Sequence, residues 1–525
     1  MLINDERQEK SKADLLNRID FQSQEIKSQS QEIKSQSQEI AKQSQKIKLL
    51  EEMVRFLKHQ KYSASSEKYV DDNPQGRLFD EANLPVDIEE IESLDEEMTV
   101  PAYQRKKPGK KGINKDLPRE QIIYDLSDEE KVCDCGCALN HIGEDITEQL
   151  DIIPAQIKVL QHVCKKYACK HCEESIITAK KPTQPIPKSI AAPGLLAHVL
   201  TSKFQYHLPL YRQESMLKGL GVDIARNTLS LWVIRCAQLL QPLVNLLQDK
   251  ILAYDIAYSD ETTLQVLKEK NRRAESTSYL WAFGGGPPDE FCYVYQYHPG
   301  RSHSIAHDFF EGFEGYLHCD GYQAYDTLSA KHNQIIQVGC WYHARRKFAD
   351  AAKVSKKSGM AHWFLKQIQQ LSKIEKYLTE SELSTEDRKA YRLINATPIL
   401  NKIKAQLDKT QESAPPDSLL GKAIRYTQNQ WLKLQRYLDD GRLEISNNRM
   451  ERAIKPFAVG RKNWLFANSV DGARAAATIF SLVETCKAHE VSVYHWLRYV
   501  LTRLPNAKTV EEIEALLPFH FKNKQ

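Results

Sequence analysis

The sequence contains no long hydrophobic run, and this absence argues against an integral membrane protein. No stretch of about 18 apolar residues occurs among its 525 residues, whereas a membrane-spanning helix needs about 20. The first residues, MLINDERQEK, are charged and lack the apolar segment of a signal peptide. We therefore expect a cytoplasmic protein that has no membrane partner.

A large net charge is also missing. The formal net charge is only +4 at pH 7, and this value alone indicates no class of partner. The distribution is more informative, because residues 71–97 hold eleven acidic residues against one Arg, and Arg105–Lys111 holds five cations in seven residues. Such blocks are typical of linkers and interaction tails. The basic run resembles short arms that lie along a DNA groove, although a nonspecific tether fits it equally well.

Cysteine is sparse over most of the chain, with one exception. Six of the eleven cysteines fall between positions 133 and 172, and in a cytoplasmic chain such a cluster indicates a metal site rather than disulfides. Cys169-x-x-Cys172 has the spacing of a zinc knuckle, and Cys133, Cys135 and Cys137 provide the other half. We expect four of these five thiolates to hold a structural Zn²⁺ in a small ribbon. Unliganded buried thiols are the alternative.

The length and the hydrophobic content of 41% predict several domains, since about 100–200 residues per domain is usual. Changes in composition and in hydrophobic period suggest where they divide. The expected segments are a coiled coil at 1–60, a charged linker at 61–130, a zinc-binding ribbon at 131–180, a helix-turn-helix-like DNA-binding region at 184–248, a mixed α/β domain at 250–467 with a helical insertion at about 344–437, and a helical C-terminal tail at 468–525.

The N-terminal segment is a seven-residue repeat of the form SQSQEIK. One heptad position is always Ile or Val, and the position three residues later is Gln four times and then Leu. This a/d pattern predicts a coiled coil weakened by its polar d layer, and Ile at position a favours a homodimer. A solvated low-complexity helix is the alternative. The apolar positions are Ile19, Ile26, Ile33, Ile40, Ile47 and Val54.

Residues 184–248 are predicted to be helical, with a turn around Gly221 between two helices. The second helix carries Arg226 and Asn227 in its first turn. This is the pattern of a helix-turn-helix, in which the second helix enters a major groove of DNA. Ordinary helical hairpins share the pattern, so both readings of this region stay open.

From Ala253 onwards the sequence alternates between apolar and polar residues. AYDIAYSDETTLQVL, SYLWAFGG and FCYVYQYHP read as strands, and GYLHCD and IIQVGC follow as shorter strands before a helix. Strands combined with helices predict a mixed α/β domain. Asp260 and Asp320 each follow an extended stretch, and carboxylates at strand ends lie at the sheet rim, where ligands bind in α/β folds.

Two such aspartates and a third carboxylate are the ligands expected for two Mg²⁺ ions, or Mn²⁺, which catalyse phosphoryl transfer. Ser446 is the expected N-cap of a helix whose apolar stripe ends at Phe457. The candidates for the third carboxylate are Asp439, Asp440, Glu444 and Glu451. Glu451 lies at the edge of that stripe, whereas the other three precede the cap and are interpreted as loop charges.

Several motifs together resemble the insertion-sequence-66 family of DDE transposases. They are YSDET, HCDGYQAYD, CWYHARRKF, EISNNRMERAIKPFAVGRKNWLF, RLFDEAN, the cysteine knuckles, HLPLYRQE and the ending LTRLP…IEALLPFH. They follow the order of the family and cover nearly the whole chain after about residue 45. The resemblance implies a ribonuclease-H-like catalytic fold in which Asp260, Asp320 and Glu451 match the three metal-binding carboxylates of the family.

The resemblance also implies a set of DNA-binding cations that hold phosphates of the transposon end. Trp464 and Phe466 beside them are candidates for stacking on an unpaired base, although filling the core is the favoured role for Phe466. The basic positions are His343, Arg345 and Arg346 after the second aspartate, and Arg452, Lys455, Arg461 and Lys462 beside Glu451.

The function implied is that of a bacterial DNA transposase, nucleoid-associated, which cleaves and joins DNA strands at transposon ends with Mg²⁺. Dimerisation through the heptad helix would pair two DNA ends, and the family implies accessory proteins of the same element. Three rival functions remain: a catalytically silent DNA-binding protein on the same fold, a ribonuclease-H-like nuclease that cuts without joining, and an assembly adaptor built on the coiled coil.

Overall fold

The structure, a computed structural model, describes residues 2–62, 157–168, 176–332, 334–354 and 359–521. Nearly all of the predicted linker and all five predicted zinc-ligand cysteines lie outside these ranges. Residues 86–161 and the remainder of the chain form two separate units. Every helix and strand within the described ranges lies outside residues 86–161 and so belongs to the larger unit.

The N-terminal segment is one continuous helix, α1 (Leu2–Tyr62), which confirms the predicted helical region. Its heptad residues from Ile26 to Val54 are between 49% and 65% exposed. They therefore form an apolar stripe along the helix, as a coiled-coil seam requires. Pairing with a second helix stays a prediction.

A short hairpin follows, in which β1 (Lys166–Ala168) pairs antiparallel with β2 (Ile176–Thr178). These two strands flank the segment that contains Cys169 and Cys172. A hairpin around a knuckle is the arrangement expected for half of a zinc ribbon, although the cysteines themselves lie outside the described residues.

Three helices precede the sheet: α2 (Pro193–Phe204), α3 (Leu210–Gly219) and α4 (Arg226–Leu252). The turn between α3 and α4 contains Gly221, whose φ of +84° lies in the left-handed region that Gly adopts readily. Helix, glycine turn and helix thus occur where the sequence predicts them. This shape alone does not distinguish a DNA-binding pair from an ordinary helical hairpin.

A mixed sheet forms the centre of the fold, as predicted. Its main strands lie in the order β5-β4-β3-β6-β7, with β3, β4 and β5 antiparallel and with β6 and β7 parallel to β3. A sixth strand, β8, pairs with the C-terminal end of β3. The strands are β3 (Ile256–Lys268), β4 (Thr277–Gly285), β5 (Cys292–His298), β6 (Gly315–Cys319), β7 (Ile335–Gly339) and β8 (Ala467–Ser469).

The strands next to β3 differ in length. β3 pairs with β4 from Ala257 through Gln265, but it pairs with β6 only from Ile256 through Tyr258. Since β6 ends at Cys319, β3 extends well beyond its parallel neighbour. The rim of the sheet therefore lies at the end of β6, partway along β3.

Helices connect and surround these strands. The segment from 344 to 437 was predicted as a helical insertion, and its described residues, which exclude 355–358, are mostly helical. The helices between β5 and residue 435 are α5 (Ser304–Phe309), α6 (Gln323–Lys331), α7 (Trp341–Val354), α8 (Met360–Glu380), α9 (Thr385–Asn395), α10 (Thr397–Gln411), α11 (Leu419–Asn429) and α12 (Trp431–Gln435).

A buried arginine joins these helices to the segment that follows them. Arg392 of α9 is fully buried and donates from Nε and Nη2 to the two carboxylate oxygens of Glu375, at 2.8 and 2.6 Å. Its Nη1 donates to the backbone carbonyls of Tyr437, Asp440 and Gly441. A buried guanidinium is tolerated because both its charge and its N–H groups have partners.

Helix α13 (Asn448–Trp464) follows the insertion. Residues 468–525 were predicted to be a helical tail, and the helices described there are α14 (Val470–Ala488), α15 (Val493–Arg503) and α16 (Val510–Glu514). Unlike a tail, α14 lies in the core against β5 and α4. Its Ser481 and Thr485 hydroxyls accept hydrogen bonds from the backbone N–H groups of Tyr295 and Tyr293, at 2.8 and 3.0 Å. These hydroxyls satisfy donors of an edge strand that would otherwise be free.

Helix α4 has the length and the apolar composition of a membrane span. In the part of the chain that the structure describes, it is the single helix long and apolar enough to cross a bilayer. Ten of its residues, including Leu240 and Leu247, are buried within the fold. This burial is typical of a core helix, so its apolar composition is explained by packing.

Candidate active site

The two aspartates identified in the sequence lie beside each other at the rim of the sheet. Asp320 directly follows β6, as predicted. Asp260 was predicted at a strand end and is instead the fifth residue of the long strand β3. The prediction of a strand end was wrong because β3 continues alongside β4. Asp260 nevertheless lies at the rim of the sheet, since the parallel neighbour β6 ends next to it.

Asp260 lies in a strongly repulsive environment. Burial raises the pKa of its carboxyl well above the ordinary value, and the negative charges of Glu261, Asp320 and Glu451 raise it further. One backbone hydrogen bond, from the Glu261 N–H to Asp260 Oδ1 at 2.8 Å, acts in the opposite direction. Four carboxylates therefore meet at this point.

Glu261 is a fourth carboxylate that sequence reasoning missed. Its side chain is only 4% exposed, and Arg301 donates to its Oε1 from Nε, at 2.7 Å, and from Nη2. The Tyr325 hydroxyl donates to Oε2 at 3.3 Å. Burial and the Asp320 charge raise the pKa of Glu261, while Arg301 lowers it. Glu261 is thus held by an arginine next to the cluster.

The same arginine connects Glu261 to the second aspartate. The Arg301 guanidinium lies 3.7 Å from the centre of the Tyr322 ring, close enough for a cation–π contact. The Tyr322 hydroxyl donates to the backbone carbonyl of Arg301 at 2.6 Å, and its backbone N–H donates to Asp320 Oδ1 at 2.9 Å. The loop after β5 and the loop after β6 are therefore joined at the site.

Helix α13 brings the third carboxylate. The expected apolar stripe is confirmed, since Met450, Ile454 and Phe457 are buried, and Glu451 lies in the first turn of the helix. The expected cap is wrong, because the N-cap is Asn447 rather than Ser446. The helix begins one residue later because the Asn447 carbonyl accepts the first helical hydrogen bonds, from the N–H groups of Met450 and Glu451.

Asn447 also fixes this helix to the strand that carries Asp260. Its side chain is fully buried, and Nδ2 donates to the backbone carbonyl of Ser259 at 2.9 Å. Near the other end of α13, Arg461 donates to the carbonyl of Thr263 and, at 2.7 Å, to its hydroxyl. Carbonyls four residues apart on a strand point to the same edge. The helix is therefore bonded along β3 on both sides of Asp260.

The other candidates for the third carboxylate have partners of their own. Asp440 pairs with Arg442 at 2.8 Å, and Glu444 pairs with Arg449 at 2.9 Å. Glu451 is the candidate whose charge raises the Asp260 pKa. The structure thus favours Glu451 over those two.

The basic residues lie on two helices that meet at this point. His343 on α7 places its Nε2 3.8 Å from Glu451 Oε1. Arg461 is tied to Thr263, and burial lowers the pKa of its guanidinium, so part of its role is to hold α13 on β3. Arg345 and Arg346 share α7 with His343, and Arg452, Lys455 and Lys462 share α13 with Glu451 and Arg461.

The two aromatic residues near the end of α13 differ from each other in exposure. Phe466, favoured for the core, is 40% exposed. Trp464 instead contacts the core, with ring centroids 6.1 Å from Phe480 and 6.3 Å from Phe457. The Lys203 ammonium lies 4.7 Å from the Trp464 ring centre. The chain reverses at Leu465, which has a φ of +66°, and this turn directs Phe466 outward.

The remaining predicted site residues lie elsewhere. Arg226 and Asn227 are exposed at the start of α4, where the backbone N–H of Arg226 donates to Glu214 Oε1 at 2.9 Å. The structure shows no contact between them and the carboxylates within its described ranges. The predicted zinc ligands Cys133, Cys135, Cys137, Cys169 and Cys172 lie outside the described residues.

The cluster has the chemistry of a site for a hard divalent cation. Its donors are carboxylate oxygens, which Mg²⁺ and Mn²⁺ prefer. Burial and the neighbouring negative charges raise the pKa of Asp260, and a bound cation would offset the cost of its charge. Asp260, Asp320 and Glu451 offer oxygen ligands of the kind that such an ion prefers.

Comparisons with known proteins identify related chains. Residues 188–475 match the family described as Transposase IS66, residues 130–173 match the zinc-finger binding domain of transposase IS66, and residues 481–519 match the IS66 C-terminal element. Residues 49–122, which include most of the predicted linker, match a family described as Transposase C of IS166 homeodomain.

Similar chains occur in Sinorhizobium fredii (strain NBRC 101917 / NGR234). The protein named y4jD is 34% identical over 427 residues, which cover 79% of this chain and 82% of that protein. The protein y4qI is 32% identical over 431 residues, covering 79% and 77%. Both carry the description "uncharacterized protein", so they support common descent and add no activity.

The repulsion at Asp260 predicts a stabilising substitution. A carboxyl whose pKa is raised on folding contributes stability that is lost as the pH rises from about 4 through the raised value. Asp260→Asn removes that penalty and keeps the acceptor for the Glu261 N–H. We expect a higher melting temperature at pH 7–8, by about 2 °C or more, since 1 kcal/mol corresponds to ~2–4 °C in domains of moderate size. The measurement is thermal unfolding across pH.

The control for this prediction is Asp289→Asn, which removes an exposed carboxylate elsewhere. We also expect millimolar Mg²⁺ or Mn²⁺ to raise the melting temperature of the unsubstituted protein more than that of Asp260→Asn. The stability gained by Asp260→Asn over the unsubstituted protein should be larger at pH 8 than at pH 4–5. A gain that is equal or smaller at pH 8 would contradict the repulsion at Asp260.

The bond between Asn447 and Ser259 predicts a second effect. Asn447→Ala leaves the Ser259 carbonyl without its buried donor, so we expect a loss of about 1–3 kcal/mol in the free energy of unfolding. Asn447→Asp should cost more at neutral pH, because it faces a carbonyl oxygen with a negative charge beside Glu451. Urea unfolding measures both, with Asn448→Ala on the same turn as the control. If Asn447→Ala and Asn448→Ala are equally stable, the hydrogen bond from Asn447 to Ser259 contributes nothing to the free energy of unfolding.

Proposed function

The chain belongs to the IS66 transposase family, and from this premise we propose that it cleaves and joins DNA strands at the ends of a bacterial insertion sequence. The observation that carries the proposal is the meeting of Asp260, Asp320 and Glu451, which come from three distant parts of the chain, at the rim of one sheet. A mixed sheet that carries Asp260 on β3 and Asp320 directly after the parallel neighbour β6 supports a ribonuclease-H-like catalytic fold.

These three carboxylates are the residues that would hold divalent ions, Mg²⁺ or Mn²⁺. Bound there, the ions supply charge stabilisation for the attacking and leaving oxygens of a phosphoryl transfer. Asp260 and Asp320 are rigidly placed by β3 and β6, and Glu451 is placed by the bonds that tie α13 to β3. Arg301 neutralises Glu261, so that the fourth carboxylate adds less repulsion at the substrate phosphate.

The cations on α7 and α13 are the proposed phosphate contacts. Arg and Lys side chains there would hold the DNA backbone on either side of the scissile phosphate and give position rather than sequence preference. Arg452 is exposed and follows Glu451 directly. Arg226 and Asn227, exposed at the start of α4, are proposed to contact DNA through the helix-turn-helix.

Assembly and accessory domains complete the proposal. The exposed heptad stripe of α1 supports a homodimer that pairs two transposon ends. The zinc-finger domain matched at residues 130–173 implies a structural Zn²⁺. Its ligands are proposed to be four of the five cysteines at 133, 135, 137, 169 and 172. Accessory proteins of the same element remain part of the proposal.

The direct test is cleavage of duplex DNA that carries the ends of the element. With Mg²⁺ or Mn²⁺, we expect release of 3′-hydroxyl ends, followed by their joining to target DNA. Asp320→Asn should bind the DNA and cleave at least about 100-fold more slowly, the scale of losing one electrostatic stabiliser of a transition state. Asp308→Asn, an exposed aspartate substitution, is the matched control.

Each outcome separates the rivals. Cleavage without joining identifies a nuclease. Specific binding without cleavage under either metal, even with the accessory proteins added, identifies a silent DNA-binding protein. An Asp320→Asn variant that cleaves as fast as the Asp308→Asn control would remove Asp320 from the proposed site.

The phosphate contacts make a separate prediction about binding. Arg452→Ala should weaken binding to specific and nonspecific duplexes alike, and should reduce the slope of log affinity against log salt concentration by about 1. The slope is measured by fluorescence anisotropy between about 50 and 200 mM salt, where the affinity for DNA depends strongly on salt concentration. Lys402→Ala, an exposed cation in the helical insertion, is the control. An unchanged slope for Arg452→Ala would exclude that contact.

A further inference from the structure

A second set of possible metal ligands adjoins the carboxylate cluster and differs from it in chemistry. One ligand atom from each of Cys340, His343 and Glu451 lies within 4.8 Å of the others. The set combines a thiol, an imidazole and a carboxylate, which is a combination suited to Zn²⁺ rather than to Mg²⁺. Glu451 belongs to both sets.

The distances are close to those of a tetrahedral site. Zn–S and Zn–N bonds of about 2.3 and 2.0 Å place the ligand atoms about 3.3–3.8 Å apart. His343 Nε2 and Glu451 Oε1 are already 3.8 Å apart. Side-chain movements of about 1 Å would bring all three atoms within bonding range.

Two buried polar atoms at this position have no partner among the described residues. They are His343 Nδ1 and Asn447 Oδ1, and the Asn447 side chain is fully buried. A buried amide oxygen without a donor is costly. Since the backbone N–H of Asn447 lies 3.2 Å from Cys340 Sγ, the unpaired oxygen belongs to the same small region. A metal ion, or water bound to it, would satisfy such an atom.

We propose that Cys340, His343 and Glu451 form a binding site for a zinc-like transition-metal ion, with Asn447 Oδ1 or water as the fourth ligand. Binding releases the thiol proton to solvent and leaves the thiolate on the metal. Because Glu451 Oε1 already lies 3.8 Å from His343 Nε2, an ion bound here competes with Asp260 and Asp320 for the Glu451 carboxylate. Zinc therefore acts as an inhibitor, and this consequence rests on the proposed function while the site itself does not.

Cys340 allows a conservative test. It directly precedes α7, and its sulfur accepts a hydrogen bond from the backbone N–H of Asn447, at 3.2 Å. Ser is a favoured residue at a helix N-terminus and accepts such bonds. Cys340→Ser therefore keeps the structural contacts and removes the soft ligand.

The first measurement is the number of Zn²⁺ equivalents that the full-length protein retains against a chromophoric chelator. We expect the unsubstituted protein to retain one equivalent more than Cys340→Ser, and Cys236→Ser, which removes a buried thiol of α4, to match the unsubstituted protein. Co²⁺ provides a second readout, since the thiolate-to-metal absorption should fall in Cys340→Ser. Equal Zn²⁺ equivalents and equal Co²⁺ spectra in the unsubstituted protein and Cys340→Ser would overturn the proposal.

If Cys340→Ser does not fold, His343→Ala is the second variant to test. It should also retain one Zn²⁺ equivalent fewer than the unsubstituted protein. In the cleavage assay, Zn²⁺ added to Mg²⁺ should slow the unsubstituted protein, while the ratio of rates with and without Zn²⁺ stays near one in Cys340→Ser. If the protein cleaves no DNA under any condition, the Zn²⁺ count still decides whether the site exists. Inhibition that is equal in both proteins would place the inhibitory zinc elsewhere and contradict the proposed consequence.

Discussion

Electrostatic repulsion among neighbouring carboxylates is the constraint on which the site depends. Burial makes the charge of Asp260 unfavourable and raises the pKa of its carboxyl, and the charges of Glu261, Asp320 and Glu451 add to this cost. Side chains under such repulsion separate unless their backbones are fixed. The fold fixes them through a strand, a loop bonded by its own N–H group, and a helix tied to the same strand. The arrangement lowers the stability of the fold, and it holds the negative charges where a cation and a phosphate can meet.

The attachment of α13 to β3 is the second element of this design. Asn447 and Arg461 bond to carbonyls on either side of Asp260, and the Tyr295 hydroxyl donates to the Ala453 carbonyl at 2.6 Å. Gly284 makes room for the helix, because a Cβ there would lie 2.7 Å from Met450 Sδ. Glu451 is therefore positioned by contacts at the beginning, middle and end of its helix rather than by its own side-chain partners.

The parts that could be predicted from the sequence are those with a local pattern. Alternation located strands β3 to β7, the heptads located α1, and the apolar stripe of Met450, Ile454 and Phe457 located α13. The bond from Asn447 to Ser259 joins residues 188 positions apart, and Arg301 reaches Glu261 over 40. No local period encodes such contacts. The exposure of Phe466 likewise depends on the left-handed turn at Leu465, which sequence patterns for Leu do not predict.

The helical insertion is coupled to the site through the segment that enters α13. Arg392 binds the carbonyls of Tyr437, Asp440 and Gly441, and the backbone N–H of Trp341 donates to the Ile445 carbonyl at 3.1 Å. Only a few residues separate these anchors from Asn447. A displacement of the insertion must therefore either break buried hydrogen bonds to a charged guanidinium, which are among the stronger ones, or move the start of α13. Because Glu451 lies in that first turn, the insertion and the carboxylate cluster cannot rearrange independently.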